Sequence, residues 1–301
     1  MQTLEKLLSS SSYPKKTILE KLICHYCSLE KKELFTELEY KISAENLEKI
    51  KEGYRLYTVE KKPLEYIIEH VTFTGISFKV SPKTLIPRPE TEYMIEAVNE
   101  YISDLGSNDV HVIDVWTGCG VLWLAVYQHN QEAISKVLLT ELDPETLDVA
   151  KQNAKSLCSP DAPIHFLEAS LLDHKEVNKF LDYSPLVLVS NLPYIPEELF
   201  DNNTDEGVRK REPKMAFVWG EDGCDLYRVM FDQLLERKRE REKGRNSDDV
   251  TDSSFVMFLE MMTWQVDVLR KEYPQFEIEE VKTFHFNIRI LKGRFKVESK
   301  K

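Results

Sequence analysis

Apolar residues recur at helical spacing through the first sixty positions. Ile18-Leu19-Leu22-Ile23, Leu34-Leu38 and Ile42-Leu47-Ile50 repeat with charged residues between them, which is the pattern of amphipathic helices. Ser43, ahead of Ala44-Glu45-Asn46, is placed to cap one of them. From Pro63 the composition shifts towards β-formers, and Thr72–Val80 alternates around Gly75 as a hairpin does. Leu85-Ile86-Pro87-Arg88-Pro89 is then held extended by its two prolines and is expected along the mouth of the next domain. Glu90-Thr91-Glu92 opens a helix with acids in its first turn.

From His111 the period changes. Apolar runs expected as strands fall near 111–116, 136–141, 163–168, 186–190, 254–260, 276–283 and 286–292. Helical stretches fall near 92–104, 121–129, 145–156, 174–182, 222–243 and 264–272. Such alternation gives a parallel sheet covered on both faces, and the last two adjacent strands form an antiparallel hairpin. The boundaries follow: a helical domain at 1–62, a hairpin and extended linker at 63–92, and an α/β domain at 93–301. The helical domain carries no catalytic set, so it serves either substrate recognition or as a structural cap. Residues 236–254 form a charged insertion, expected as a helix end running into a mobile loop.

Composition narrows the classes. The formal net charge of -12 over 301 residues argues against a broad nucleic-acid-binding surface, and no apolar run is long enough to span a bilayer. Five cysteines, an odd number without framework spacing, point to a reducing compartment. Cys24-His25-Tyr26-Cys27 lacks a second ligand pair and reads as a helix face rather than a metal site. The N-terminus shows neither a signal-peptide apolar core nor the arginine-rich character of a transit peptide.

Candidate chemistry sits at three strand ends. Val112–Val121 reads as a strand, a turn through Trp116-Thr117-Gly118-Cys119-Gly120, and a helix start. Its glycines let a ligand approach the backbone beside free helix N–H groups. Asp143 follows the second strand, where nucleoside-binding sheets hold ribose hydroxyls; ahead of Pro144 it is equally a helix N-cap. The fourth strand ends in Ser190-Asn191-Leu192-Pro193-Tyr194-Ile195-Pro196. The Asn191 side-chain oxygen and the Leu192 carbonyl are adjacent acceptors, Pro193 restricts how they are presented, and the Tyr194 ring can cover a planar –NH2 group. A nucleoside cofactor facing an amide or amine acceptor is the layout of methyl transfer from S-adenosylmethionine.

The ordered motifs Pro63-Leu64-Glu65-Tyr66-Ile67, Phe73-x-Gly75-x-x-Phe78-x-Val80, Leu85–Glu92, Asp114–Gly120, Asp143 and Asn191–Pro196 resemble the HemK/PrmC-type protein-glutamine N5-methyltransferases. Glu212-Pro213, Ala216, Gly220, Asp222-Gly223, Asp225, Tyr227, Arg228, Glu260 and Gln265 continue the match in order. The resemblance implies a Rossmann-like seven-stranded α/β sheet with its last strand antiparallel, and S-adenosylmethionine as cofactor. It implies a peptide chain release factor as partner, methylated at the glutamine of its Gly-Gly-Gln loop. Asn191, Leu192, Pro193 and Tyr194 would grip the amide, and Trp116–Gly120, Asp143, Ser170, Leu171 and Asn191 would hold the cofactor. Direct nucleic-acid binding and membrane association are not expected, and a monomer is. Three positions depart from the family pattern. Trp116 replaces the first glycine of the cofactor loop, Ser170 replaces an acid facing adenine, and Leu192 replaces a proline whose carbonyl it retains. Members of the family work in bacterial cytoplasm and in mitochondria; the divergent loop and the charged insertion point to a mitochondrial protein, and a bacterial source would make it cytoplasmic. Two rival readings are an N6-adenine methyltransferase, which the acidic charge disfavours, and a non-catalytic scaffold with a degenerate cofactor loop.

Overall fold

The structure is a computed structural model that describes residues 2–244, 255–284 and 288–296. The chain folds as two compact units, Met1–His70 with Asp205–Arg211, and Val71–Thr204 with Glu212–Lys301.

In the first unit the helices Lys16–Cys27 and Ala44–Thr58 turn Leu19, Leu22, Ile23, Ile50 and Tyr54 into one apolar cluster. Ser43 caps the second of them, its hydroxyl accepting the Asn46 N–H at 3.1 Å. The stretch read as rich in β-formers begins instead with a short helix, Leu64–Ile68. Pro63 sets its entry with φ -52°, and Leu64 packs into the helical cluster, so tertiary burial outweighs the β-branched residues. The helix Glu206–Arg211 belongs to this unit although the sequence placed it within the α/β domain. Arg211 donates to the Glu60 carbonyl at 3.0 Å. Cys24 and Cys27 are free thiols on one helix, both raised in pKa chiefly by burial. Among the described residues no cluster of His, Cys, Asp and Glu is arranged to hold a metal.

The second unit begins with a hairpin of β1 (His70–Phe73) and β2 (Ile76–Lys79), turned by Thr74-Gly75 with both φ positive. Helix α1 (Glu90–Leu105) leads into the sheet. Strands β3 (Val110–Val115), β4 (Ile134–Glu141), β5 (Ile164–Glu168), β6 (Leu186–Ser190), β7 (Phe255–Met262), β8 (Phe276–Phe284) and β9 (Ile288–Phe295) assemble in the order β8-β9-β7-β6-β3-β4-β5. Pairs among β3 to β7 are parallel, while β9 runs antiparallel between β7 and β8. The Rossmann-like sheet with an antiparallel last strand therefore stands, and the final hairpin is folded inward so that β9 is not an edge. Strands β3 and β6 are buried along their whole length, as a sheet covered on both faces requires.

The helices that follow these strands are α2 (Val121–Asn130), α3 (Pro144–Leu157), α4 (Lys175–Phe180), α5 (Asp225–Gly244) and α6 (Thr263–Glu272). The expected loop of the charged insertion, from residue 245 to 254, lies outside the described residues. Among the described residues no helix is long and apolar enough to cross a membrane.

Candidate active site

Parallel strands put their carboxyl ends on one side of the sheet, and the order changes direction between β3 and β6. A cavity of about 290 Å³ opens there. Its walls come from the extended segment after β2 (Lys83, Leu85, Pro87, Arg88), from Thr91, from Trp116–Cys119, from Glu141–Asp143, and from Asn191 and Pro193. Pro213, Met215 and Ala216 complete the rim.

The register sets the two halves side by side. Asp114 pairs with Val189, so the turns that begin at Trp116 and Asn191 leave neighbouring strands at the same level. Ser190 donates its hydroxyl to the Val115 carbonyl at 2.7 Å, fastening one strand end to the other.

In the first half, Asp114 is buried and accepts the Thr117 hydroxyl at 2.7 Å; burial pushes its carboxyl up to about 7. The turn is held through its main chain. Thr117 N–H bonds the Thr140 carbonyl at 2.9 Å, and Gly118 N–H bonds Glu141 at 3.0 Å. Gly118 has φ +59°, and a side chain there would meet no atom within 4 Å, so only the backbone conformation demands glycine. Trp116 has φ +58°, the left-handed region in which a side chain costs about 1–2 kcal/mol. Its indole still lines the cavity and meets Trp219 edge to face at 5.6 Å, and its Nε1 is buried without a partner.

Glu141 is a cavity-wall carboxylate that the sequence pattern did not single out. As the last residue of β4 it points into the cavity wall, one oxygen accepting Gly118 N–H and the other accepting those of Leu142 and Asp143 at 2.8 and 3.3 Å. Oε2, which takes only the Gly118 N–H, keeps a further lone pair for a hydroxyl donor, while Oε1 has both engaged. The signal was Thr140-Glu141-Leu142-Asp143, in which the first acid ends the strand and the second starts the helix. Asp143 does cap α3, accepting the Thr146 N–H at 2.9 Å through Oδ2, and it also faces the cavity.

The second half is braced from behind by Glu260. This fully buried carboxyl of β7 accepts the Asn191 amide at 3.1 Å, the Tyr194 hydroxyl at 2.9 Å and the Thr91 hydroxyl at 3.1 Å. Burial pushes it up to about 7. The other Asn191 hydrogen is directed at Thr91 Oγ1, 3.2 Å away. With both donors turned inward, the Asn191 Oδ1 is the atom left to accept from a ligand. Tyr227 donates to the Glu260 carbonyl and lies 3.5 Å from the Leu192 carbonyl. Gln265 donates to the Tyr194 carbonyl at 2.7 Å and to the Asp222 carbonyl at 3.0 Å. Gly223, at φ +69°, lies so close that any Cβ would overlap the Tyr194 carbonyl. A lone glutamate inside the apolar run Phe255–Met262 was the legible sign of this brace.

Arg88 bonds the buried Glu212 at 2.6 Å, and Glu212 also accepts the Ile86 N–H at 3.1 Å, so one carboxylate fixes the extended segment along the cavity. Trp116, Thr117, Gly118, Cys119, Asp143, Asn191 and Pro193 are thus brought together at the cavity wall. Gly120, Leu192 and Tyr194 stand behind it. Ser170 and Leu171 do not line it: they follow β5, beyond β4 at the sheet edge, with Ser170 exposed and Leu171 in the core.

No protein-family model matches the chain. It is 36% identical over 217 residues to the release factor glutamine methyltransferase of Bacillus anthracis, covering 71% of this chain and 73% of that one. The release factor glutamine methyltransferase of Bacillus cereus is 36% identical over 218 residues, with the same shares covered. A solved structure, the ribosomal protein L11 methylase of Lactobacillus delbrueckii subsp. bulgaricus, superposes with a TM-score of 0.40 at 16% identity, over 69% of this chain and 81% of that one.

Proposed function

Because the chain belongs to the release factor glutamine methyltransferase family, we propose that it methylates the side-chain amide nitrogen of the glutamine in a release factor's Gly-Gly-Gln loop. The observation that carries this reading is the orientation of Asn191: its hydrogens are consumed by Glu260 and Thr91, and its oxygen is free.

The methyl donor is S-adenosylmethionine, which supplies an electrophilic methyl when bound. The cavity suits such a molecule. Glu141 and Asp143 offer carboxylate acceptors for a ribose diol, Leu142 adds an apolar surface beside them, and Thr117-Gly118-Cys119 exposes backbone to the remainder. The unpartnered Trp116 Nε1 adds an unused donor behind the same wall.

An amide nitrogen is a weak nucleophile because its lone pair is delocalised into the carbonyl. Asn191 Oδ1 at the wall would accept one amide hydrogen and the Leu192 carbonyl, which this structure sets behind the wall, the other, holding the nitrogen lone pair towards the donor half of the cavity. Tyr227 bonds the Glu260 carbonyl more closely than that of Leu192, which leaves the latter able to accept. Both acceptors also stabilise positive charge growing on nitrogen, so catalysis is positioning and electrostatics. The new N–C bond forms as the donor's S–C bond breaks, and the surplus amide proton passes to water.

The test is incubation with labelled S-adenosylmethionine and a release factor, with the methyl mapped by mass spectrometry. Label on the Gly-Gly-Gln glutamine that disappears in Asn191→Ala supports the reading. Donor binding without transfer to any release factor overturns it.

On this reading the protein partner is the release factor, with no nucleic acid held directly, and the chain acts as a monomer in mitochondria. The charge of -12 supports the second point, and the divergent cofactor turn supports the last, while the matched relatives are bacterial. Cell fractionation and sedimentation test both placements.

A further inference from the structure

Glu260 does not line the cavity, yet it touches both side chains of the amide-holding turn. A buried ionised carboxylate has acceptors only, so every neighbour must bring it a hydrogen. Asn191 can do so in one orientation alone, with its nitrogen inward and its oxygen towards the cavity. Turned over, it would set oxygen against oxygen inside and offer the substrate a donor. Tyr194 answers the same demand by donating its hydroxyl to the same carboxylate.

We infer that Glu260 is a positioning residue that acts through Asn191, locking the site to accept an –NH2 group and so to take a glutamine while refusing a glutamate. The inference rests on the proposed transfer to glutamine but concerns a residue that touches neither substrate nor donor. A glutamate at the same place would bring carboxylate oxygens against Asn191 Oδ1 and the Leu192 carbonyl, three acceptor groups with no hydrogen between them.

The charge on Glu260 is part of the lock. The groups facing it are Thr91 and Glu90 from α1, Asn191 and Tyr194 from the turn, and Tyr227 from α5 against its main chain. Burial and Glu90 raise the carboxyl; the hydrogen bonds from Tyr194, Thr91 and Asn191 lower it. Its ionisation near neutral pH strengthens Asn191 Oδ1 as an acceptor, because a charged partner on the amide nitrogen draws the dipole outward.

The decisive variants are Glu260→Gln and Glu260→Asp. Glutamine keeps the shape but removes the charge: its –NH2 replaces the oxygen that faces Thr91, and one neutral oxygen must serve Asn191 and Tyr194 together, so the hold on the orientation of Asn191 is weakened. Expected for Glu260→Gln is a fall in kcat of roughly a hundredfold, the scale of a misplaced reacting group. S-adenosylmethionine affinity by calorimetry should stay within about twofold of wild type, since no cavity wall changes. Glu260→Asp retains the charge and should recover part of kcat. The wild-type kcat should rise as pH passes through about 7, with that component missing from Glu260→Gln. Asp114 titrates in the same range, so only the difference between the two profiles belongs to Glu260.

A readout independent of transfer is the Asn191 side-chain amide signal in 15N spectra, assigned by its absence in Asn191→Ala. Slow hydrogen exchange in the wild type and fast exchange in Glu260→Gln support the lock even if no release factor is methylated. Equal exchange in both, or a Glu260→Gln enzyme within about threefold of wild-type kcat, overturns it. So does a parallel loss of donor affinity, which would make Glu260 a general structural support.

Discussion

The cavity lies between two turns that leave adjacent strands at the same level, and they are held in opposite ways. After β6, side chains do the holding: Asn191 and Tyr194 bond Glu260, Gln265 grips the Tyr194 carbonyl, and Leu192 is sunk in the core. After β3 the main chain does most of it, through Thr117 N–H on Thr140 and Gly118 N–H on Glu141. That turn tolerates a tryptophan with left-handed backbone and an unmet indole N–H. The contrast teaches where freedom remains. A turn that offers backbone to a ligand needs only its path preserved. A turn that offers one oriented amide needs every neighbour in place.

The comparison can be broken most sharply at Asn191. Asn191→Ala should lower transfer about 10²- to 10³-fold, with donor affinity by calorimetry unchanged within about threefold. An equal loss of donor binding would mean that the halves are not separable. Glu141→Gln should do the reverse, weakening S-adenosylmethionine about ten- to hundredfold while leaving kcat at saturating donor close to wild type.

A smaller effect is expected in the pH dependence of stability. Asp114 rises from 3.8 to about 7 and Glu260 from 4.5 to about 7 on folding. Between those limits the folded chain keeps protons that the unfolded chain has released, so their contribution to stability falls as pH rises and levels off above about 7. Thermal unfolding across this window should show Glu260→Gln gaining on the wild type by a few degrees as pH increases. A constant difference would count against a raised Glu260. The smallest effect belongs to Trp116→Gly. Relief of backbone strain, about 1–2 kcal/mol, and of an unmet donor, about 1–3 kcal/mol, opposes lost apolar burial of about 1.5–3 kcal/mol and the chain entropy of a new glycine, about 0.5–1 kcal/mol. Urea denaturation should place the variant within about 1 kcal/mol of wild type. A much larger loss would show that the indole braces its turn as firmly as Glu260 braces the other.

The sheet was legible because its strands are continuous apolar runs between helical periods, and each expected strand lies within a few residues of an observed one. Asn191 and the turn after β3 were legible because amides, prolines and glycines at strand ends have few other uses. What escaped were relations between distant positions. Glu141 and Asp143 look alike in sequence and both reach the cavity wall; only the end of β4 separates the one that accepts the Gly118 N–H from the one that caps α3. Glu260 was noticed as a family match, but its contacts at sequence separations of 66, 69 and 169 residues exist only once β6, β7 and α1 are packed. The short helix Leu64–Ile68 was missed because burial against a neighbouring cluster decided a segment whose local preference pointed elsewhere.

Asn153 of α3 has the last consequence. Its oxygen accepts the Lys79 N–H at 2.7 Å, and its nitrogen donates to the Lys79 carbonyl at 2.9 Å and to the Cys119 carbonyl at 2.8 Å. The side chain thus imitates a strand residue towards the end of the hairpin while gripping the turn after β3. It works as a rivet through two plates: one buried amide ties the end of β2 to Cys119, so neither can shift alone without breaking a bond to the same side chain.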